Sequence, residues 1–145
     1  MRELPRQLTV DQLAELFEGQ TRLVERLSEV ENPLEAALDL VRELPEDEAL
    51  EALSAHPAIG AKGLSERSAR EQGLDDDAAT ESALAELNRA YEEKFGFRFV
   101  VFVNRRPKAA ILPILRERLE RTRAEELETG LGELVAIARD RWLNQ

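Results

Sequence analysis

The stretch FRFVVFVN, residues Phe97–Asn104, decides between two fold classes. Phe99, Val100, Val101, Phe102 and Val103 all favour β structure, and taken alone they spell a strand. The chain offers no second run of comparable quality to pair with it. A buried, unpaired strand would leave its own amides and carbonyls without partners. The segment therefore reads as a buried core piece, helical or extended, within an all-α fold, with tertiary packing overriding local propensity.

The sequence on either side carries helical signals. Upstream, DDDAATESALAELNRAYEEKFG places Leu84, Leu87 and Tyr91 on one stripe, with Gly96 as its C-terminal stop. Downstream, PKAAILPILRERLERTRAEELETGLGELVAIARDRWLNQ reads as helix with a kink at Pro113 and a break near Gly130 or Gly132. Nearer the start, Thr9 is a candidate N-cap for LTVDQLAELFEG, which Gly19 would stop, and TRLVERLSEV continues the pattern through Leu23, Val24 and Leu27. Asn32 followed by Pro33 opens another helix. LPEDEALEALSAHP opens with Pro45 and three acids in its first turn and ends before Pro57. LSERSAREQGL reads as a short helix. No repeat, low-complexity tract or linker divides residues 1–145, so the expectation is one single-domain multi-helix bundle.

Composition removes several function classes. Thirty acidic residues against 20 basic ones give a net charge of −10, a surface that disfavours nucleic acid or anionic membrane as a partner. With no cysteine and one histidine, thiolate chemistry, disulfides and multi-histidine metal sites are excluded, and no metal site is expected. No apolar run reaches the length of a signal peptide or a membrane span, so the reading is a soluble, cytoplasmic protein.

The single histidine, His56, sits in SAHPAIG where a helix ends. The partial negative charge of that helix terminus favours imidazolium and predicts a raised pKa, suited to proton transfer near neutrality. Each candidate also has a plain structural role. A lone histidine after a helix is commonly structural, and Ser68 with Glu71 fits a capping box. Arg141 can complement a helix dipole, Trp142 can be core, and Arg105 with Arg106 can be a solvated turn. Periodicity alone yields an acidic helical protein and no reaction.

Three stretches together change this. HPAIG supplies His56, Pro57, Ile59 and Gly60; SAREQ supplies Ser68, Glu71 and Gln72; LNRAYEEKFGFRFV supplies Leu87, Asn88, Tyr91, Lys94, Phe95, Gly96, Phe97, Phe99 and Val100. In this order they resemble the OHCU decarboxylase family, whose members decarboxylate 2-oxo-4-hydroxy-4-carboxy-5-ureidoimidazoline in urate degradation. Glu126, Leu127, Thr129, Glu133, Leu134, Ile137 and Arg141 match the family's tail pattern. The chain departs from the family at Thr21, Arg22 and Leu23, where a serine-proline-tryptophan stretch is common, and at Arg105 and Pro107, where glycine and serine or threonine are commoner. The segment between Gln72 and Leu87 is also shorter than usual.

The resemblance implies a carboxy-lyase of purine catabolism that needs no cofactor and forms S-allantoin. It implies His56 as acid-base catalyst with Glu71 orienting it, and Pro57, Ser68, Gln72 and Arg141 at the substrate. The main chain of Phe99, Val100, Val101, Phe102 and Val103 is implied to hold the ring. A homodimer and a small ureidoimidazoline carboxylate as the binding partner follow from the same resemblance. The competing readings are a catalytically silent helical interaction module and a related decarboxylase acting on another ureido or hydroxy acid.

Overall fold

Local capping chemistry fixes where three of the described helices begin. In a computed structural model of the chain, residues 3–57 and 78–144 are described, and among them lie seven helices and no strand. Thr9 accepts from the Gln12 amide while the Gln12 side chain returns to the Thr9 amide, a reciprocal cap that starts α1 (Val10–Leu16). Thr21 caps α2 (Arg22–Ser28). Then follow α3 (Pro33–Arg42) and α4 (Glu46–Ala55), whose first turn carries Glu46, Asp47 and Glu48. After the undescribed stretch come α5 (Ala78–Phe95), α6 (Lys108–Leu119) and α7 (Arg123–Leu143). Thr122 and Glu125 form a second reciprocal cap at the start of α7.

Helix α7 packs against α1, α3 and α4, α2 packs against α1, α3 and α4, and α5 packs against α6. The core between them includes Leu13, Leu16, Phe17, Leu23, Leu34, Leu53, Leu115, Leu134 and Ala138, each almost wholly excluded from solvent. No described helix is long and apolar enough to cross a membrane.

One expectation about a helix break changes. Helix α7 runs unbroken through Gly130 and Gly132. Gly130 serves packing instead: a Cβ there would come within 3.3 Å of Leu53 Cδ2, so its absence admits α4 against α7. Pro113 lies inside helix α6, on its exposed side. Asn32 precedes Pro33 as expected but adopts a left-handed conformation (φ 51°) with no side-chain cap.

Phe97–Val103 is neither helix nor strand, and Phe97, Phe99, Val100, Val101 and Val103 are buried. Gly96 makes the entry turn at φ 79°, a conformation that a Cβ disfavours. Side chains do the work that a neighbouring strand would otherwise do. Arg118 Nη1 donates to the Val100 carbonyl at 2.8 Å, Arg106 Nε donates to the Val103 carbonyl at 2.8 Å, and Arg106 Nη2 donates to the Phe102 carbonyl. Glu133 Oε1 accepts from the Phe102 amide at 3.3 Å. Three carbonyls and one amide of a lone extended segment thus find partners among the described residues without a sheet. Arg106 is thus part of the core's hydrogen bonding, while Asn104 and Arg105 form the exposed turn, both with positive φ.

Beneath the segment, Tyr91 packs on Phe95, Phe97 and Phe99 with ring centroids 4.6, 6.0 and 5.2 Å away. The Arg118 guanidinium lies 4.5 Å over the Phe99 ring. Glu126, with no solvent exposure, accepts from Tyr91 Oη (2.7 Å), Arg118 Nε (2.7 Å) and Arg121 Nη1 (2.9 Å). Burial first, and this hydrogen bond second, push the Tyr91 phenol above its ordinary pKa.

Candidate active site

His56 ends α4 because Pro57 follows it: its backbone turns extended at φ −80°, ψ 140°, and its amide still reaches back to Leu53. Arg98, from the buried segment, donates to the carbonyls of both Ser54 and His56. The end of α4 and the start of the Phe97–Val103 segment are thereby fastened together. The imidazole is 4% exposed, and among the described residues its Nε2 has no hydrogen-bond partner. A buried polar atom without a partner is costly unless something else binds there.

Arg141 reaches the same region from the C-terminal end of α7. Its side chain is 2% exposed; Nη1 donates to the Leu16 carbonyl at 3.1 Å and Nη2 pairs with Glu18 at 3.1 Å. Glu18 stands just past α1 in a left-handed conformation, φ 62°. Gly19 lets that turn sit against α4, since a Cβ there would lie 3.3 Å from the Ala55 Cβ.

This environment reverses the expected titration of His56. Burial is the largest cause and the Arg141 charge the next, and together they push the imidazole down to about 3, against a smaller opposing effect of Glu18. The helix-terminus argument neglected both desolvation and a cation brought in from the other end of the chain. His56 is consequently a neutral base across the physiological range.

A stability consequence follows. As pH falls through 6.5 the unfolded chain protonates its histidine, while folded His56 stays neutral until about 3. Over that window the unfolded state binds the extra proton, so the wild type loses about 1.4 kcal/mol of stability per pH unit relative to His56→Gln. Urea unfolding of both proteins at pH 6.5 and 5.0 is expected to show the wild type losing about 2 kcal/mol more. Equal losses would contradict a buried neutral imidazole.

Among the expected site residues, the structure brings His56 and Arg141 together, with Pro57 beside His56. Ser68, Glu71 and Gln72, together with Ile59 and Gly60, lie outside the described residues. Of the Phe99–Val103 amides, only that of Phe102 has a described acceptor, Glu133; those of Phe99, Val100, Val101 and Val103 donate to no described residue. Sequence reasoning gave no role to Glu18, Arg98, Arg118, Glu126 or Glu133, and it read Arg106 as part of a solvated turn, whereas its guanidinium bonds the carbonyls of Phe102 and Val103. For Glu126 and Glu133 a signal existed in the tail pattern; for Glu18 there was none beyond one more acid in an acidic chain.

A separate cleft of about 420 Å³ between α3 and α7 is lined by Arg42, Arg121, Glu125, Glu128 and Thr129, among others. Its cations are already paired, Arg42 with Glu128 and Arg121 with Glu125 and Glu126, so it holds no unspent charge for an anionic ligand.

Known proteins resemble the chain in sequence and in fold. The OHCU decarboxylase family profile matches residues 2–143. The 2-oxo-4-hydroxy-4-carboxy-5-ureidoimidazoline decarboxylase of Halalkalicoccus jeotgali is 28% identical over 89% of this chain and 80% of its own. The bifunctional uric acid degradation protein TTL of Arabidopsis thaliana is 38% identical over 61% of this chain, which spans 30% of that longer protein. A crystal structure of OHCU decarboxylase in the presence of (S)-allantoin superposes with a TM-score of 0.76 at 27% identity, covering 90% of this chain and 94% of the other. A crystal structure of (S)-allantoin synthase gives a TM-score of 0.69 at 25% identity, covering 92% of this chain and 48% of the other.

Proposed function

The chain belongs to the OHCU decarboxylase family, and from that premise we propose that His56 carries the proton chemistry of a decarboxylation that yields (S)-allantoin. The protein is a decarboxylating lyase of urate degradation. The observation that carries the histidine assignment is Nε2 itself: a buried nitrogen of a neutral imidazole, without a hydrogen-bond partner among the described residues and within reach of the Arg141 field.

In the substrate, the carbon that loses CO2 also bears a hydroxyl and adjoins an imine of the ring. When the C–C bond to the carboxylate breaks, its electron pair passes into the ring and forms an enol, and the imine accepts the negative charge. The hydroxyl then gives up its proton to form the carbonyl, and the ureido-bearing carbon receives one. Net, one proton is taken up for each carboxylate released as CO2. No external electron sink is needed, because the imine serves as one.

His56, neutral at rest, accepts the hydroxyl proton and returns it to one face of the enol, which makes the product a single enantiomer. Arg141 pairs with the substrate carboxylate, offsetting the repulsion of a chain with a net charge of −10. The idle amides of Val101 and Val103 are the donors for the ring oxygens, and Ser68 and Gln72 hold the remaining polar atoms. Glu71 has a defined task in this scheme. A carboxylate brought to the imidazole stabilises its protonated form, which burial and Arg141 otherwise suppress. The family resemblance is also the ground for a cytoplasmic homodimer.

The test generates the unstable substrate in place with urate oxidase and hydroxyisourate hydrolase, then follows its decay by absorbance with and without this protein. Acceleration above the spontaneous decay is expected; an unchanged decay would remove the lyase reading from this chain.

A further inference from the structure

We propose that Glu18 is a positioning residue that screens the charge of Arg141, keeping the substrate carboxylate from being held too tightly before it leaves as CO2. The proposal rests on the reaction just described and on three features, two of the structure and one of the chemistry.

Geometry comes first. Glu18 Oε1 lies 3.1 Å from Arg141 Nη2, and the arginine side chain is almost wholly buried, so the pair is poorly screened by water. Backbone conformation is the second feature. Glu18 holds φ 62°, a region that disfavours an L side chain, although the neighbouring Gly19 would enter it without strain. The residue carrying the carboxylate, and not the glycine, occupies the left-handed position. Strain retained at one residue is a pointer to function when the surroundings hold it in place, and here the Gly19 contact with Ala55 and the Gly19 amide bond to the Ala14 carbonyl do so.

The third feature is chemical. Decarboxylation removes negative charge from the carboxylate and moves it into the ring. A cation trained on the carboxylate stabilises the ground state more than the transition state, which lowers KM and kcat together without improving catalysis. Arg141 is needed to recruit an anion to an acidic protein, yet unscreened it would anchor the group that must depart. Glu18 divides its charge, leaving enough attraction for capture and less to resist the loss of CO2.

Glu18→Gln removes the charge and keeps an acceptor for Arg141. In steady-state assays with substrate generated in place, its kcat and KM are both expected to fall about tenfold, with kcat/KM within about threefold of wild type. Unchanged kcat and KM, or a fall in kcat with unchanged or raised KM, would overturn the proposal, the latter because a merely structural support behaves that way.

A binding measurement stands apart from turnover. N-carbamoylglycine, a ureido carboxylate, is expected to bind Glu18→Gln about tenfold more tightly than wild type by calorimetry, while allantoin, which lacks the carboxylate, binds both alike. Glu18→Asn, whose residue tolerates left-handed backbone, repeats both measurements should the glutamine variant fold poorly. Equal affinity of the acid for wild type and variant overturns the proposal whatever the kinetics. A wild type that accelerates nothing while the acid still binds the variant more tightly would sink the reaction assignment and leave charge screening by Glu18 standing.

Discussion

His56→Gln is expected to lower kcat by about 10²–10⁴-fold, the usual contribution of a positioned acid-base group, while the protein remains folded. The fold survives because the imidazole Nε2 makes no hydrogen bond to any described residue, so the substitution breaks no bond at that atom. Glutamine keeps polar atoms in the space but cannot shuttle a proton. The residual rate would come from Arg141 and the main-chain donors, which still bind and orient the substrate. Parallel thermal melts and stopped-flow decay of the generated substrate measure the two effects separately. A variant with native melting and full turnover would place the proton chemistry elsewhere. The pH dependence sharpens this. With His56 pushed down to about 3, kcat/KM is expected to show no inflection near 6.5 from the free enzyme's histidine.

The second large effect is on stability. Glu126→Ala is expected to cost about 3–5 kcal/mol in urea unfolding, because it strands the buried cation of Arg118 and the phenol of Tyr91. Against a typical total of about 5–15 kcal/mol, this is a large fraction of the stability of a domain. Tyr91→Phe, which removes one hydrogen bond to the same carboxylate and leaves the ion pair, is expected to cost about 1.5–3 kcal/mol. The graded pair separates a network from a single contact. A Glu126→Ala loss under 1 kcal/mol would mean that Arg118 finds another anchor. Because Arg118 also holds the Val100 carbonyl, folded Glu126→Ala protein is expected to bind substrate poorly as well.

Arg118 therefore joins the fold to the site. One edge of its guanidinium meets Glu126, another meets Val100, and its face covers Phe99. The extended segment is held by Arg106 and by side chains of α6 and α7, and several of its amides donate to no described residue. A sheet would have satisfied those amides and closed the site. An apolar segment thus keeps Phe97, Phe99, Val100, Val101 and Val103 in the core while its main chain meets charged side chains.

Much of the helical layout was legible from local rules. Thr9 announced α1, Gly96 the end of α5, and Pro57 the end of α4, because caps and stops act through bonds to residues three or four positions away. The absence of a partner for FRFVVFVN correctly argued against a sheet, although nothing local could say that arginines would replace it. The misreadings share one physical cause. Gly130 looks like a break until Leu53 is seen to need the space, and His56 looks like a near-neutral titrant until its burial and then the charge of Arg141 are counted. Both depend on contacts between residues far apart in sequence. The candidate site was legible only as far as family motifs marked it: they point to Arg141, and Glu18 matches none of them.

The most direct test of His56 as the stereospecific proton carrier is the circular dichroism of the allantoin formed. With urate oxidase and hydroxyisourate hydrolase supplying substrate, wild type is expected to give a strong signal of the (S) enantiomer, and His56→Gln a weak signal near that of spontaneous, racemic decay. A His56→Gln reaction as fast and as optically pure as wild type would contradict the account.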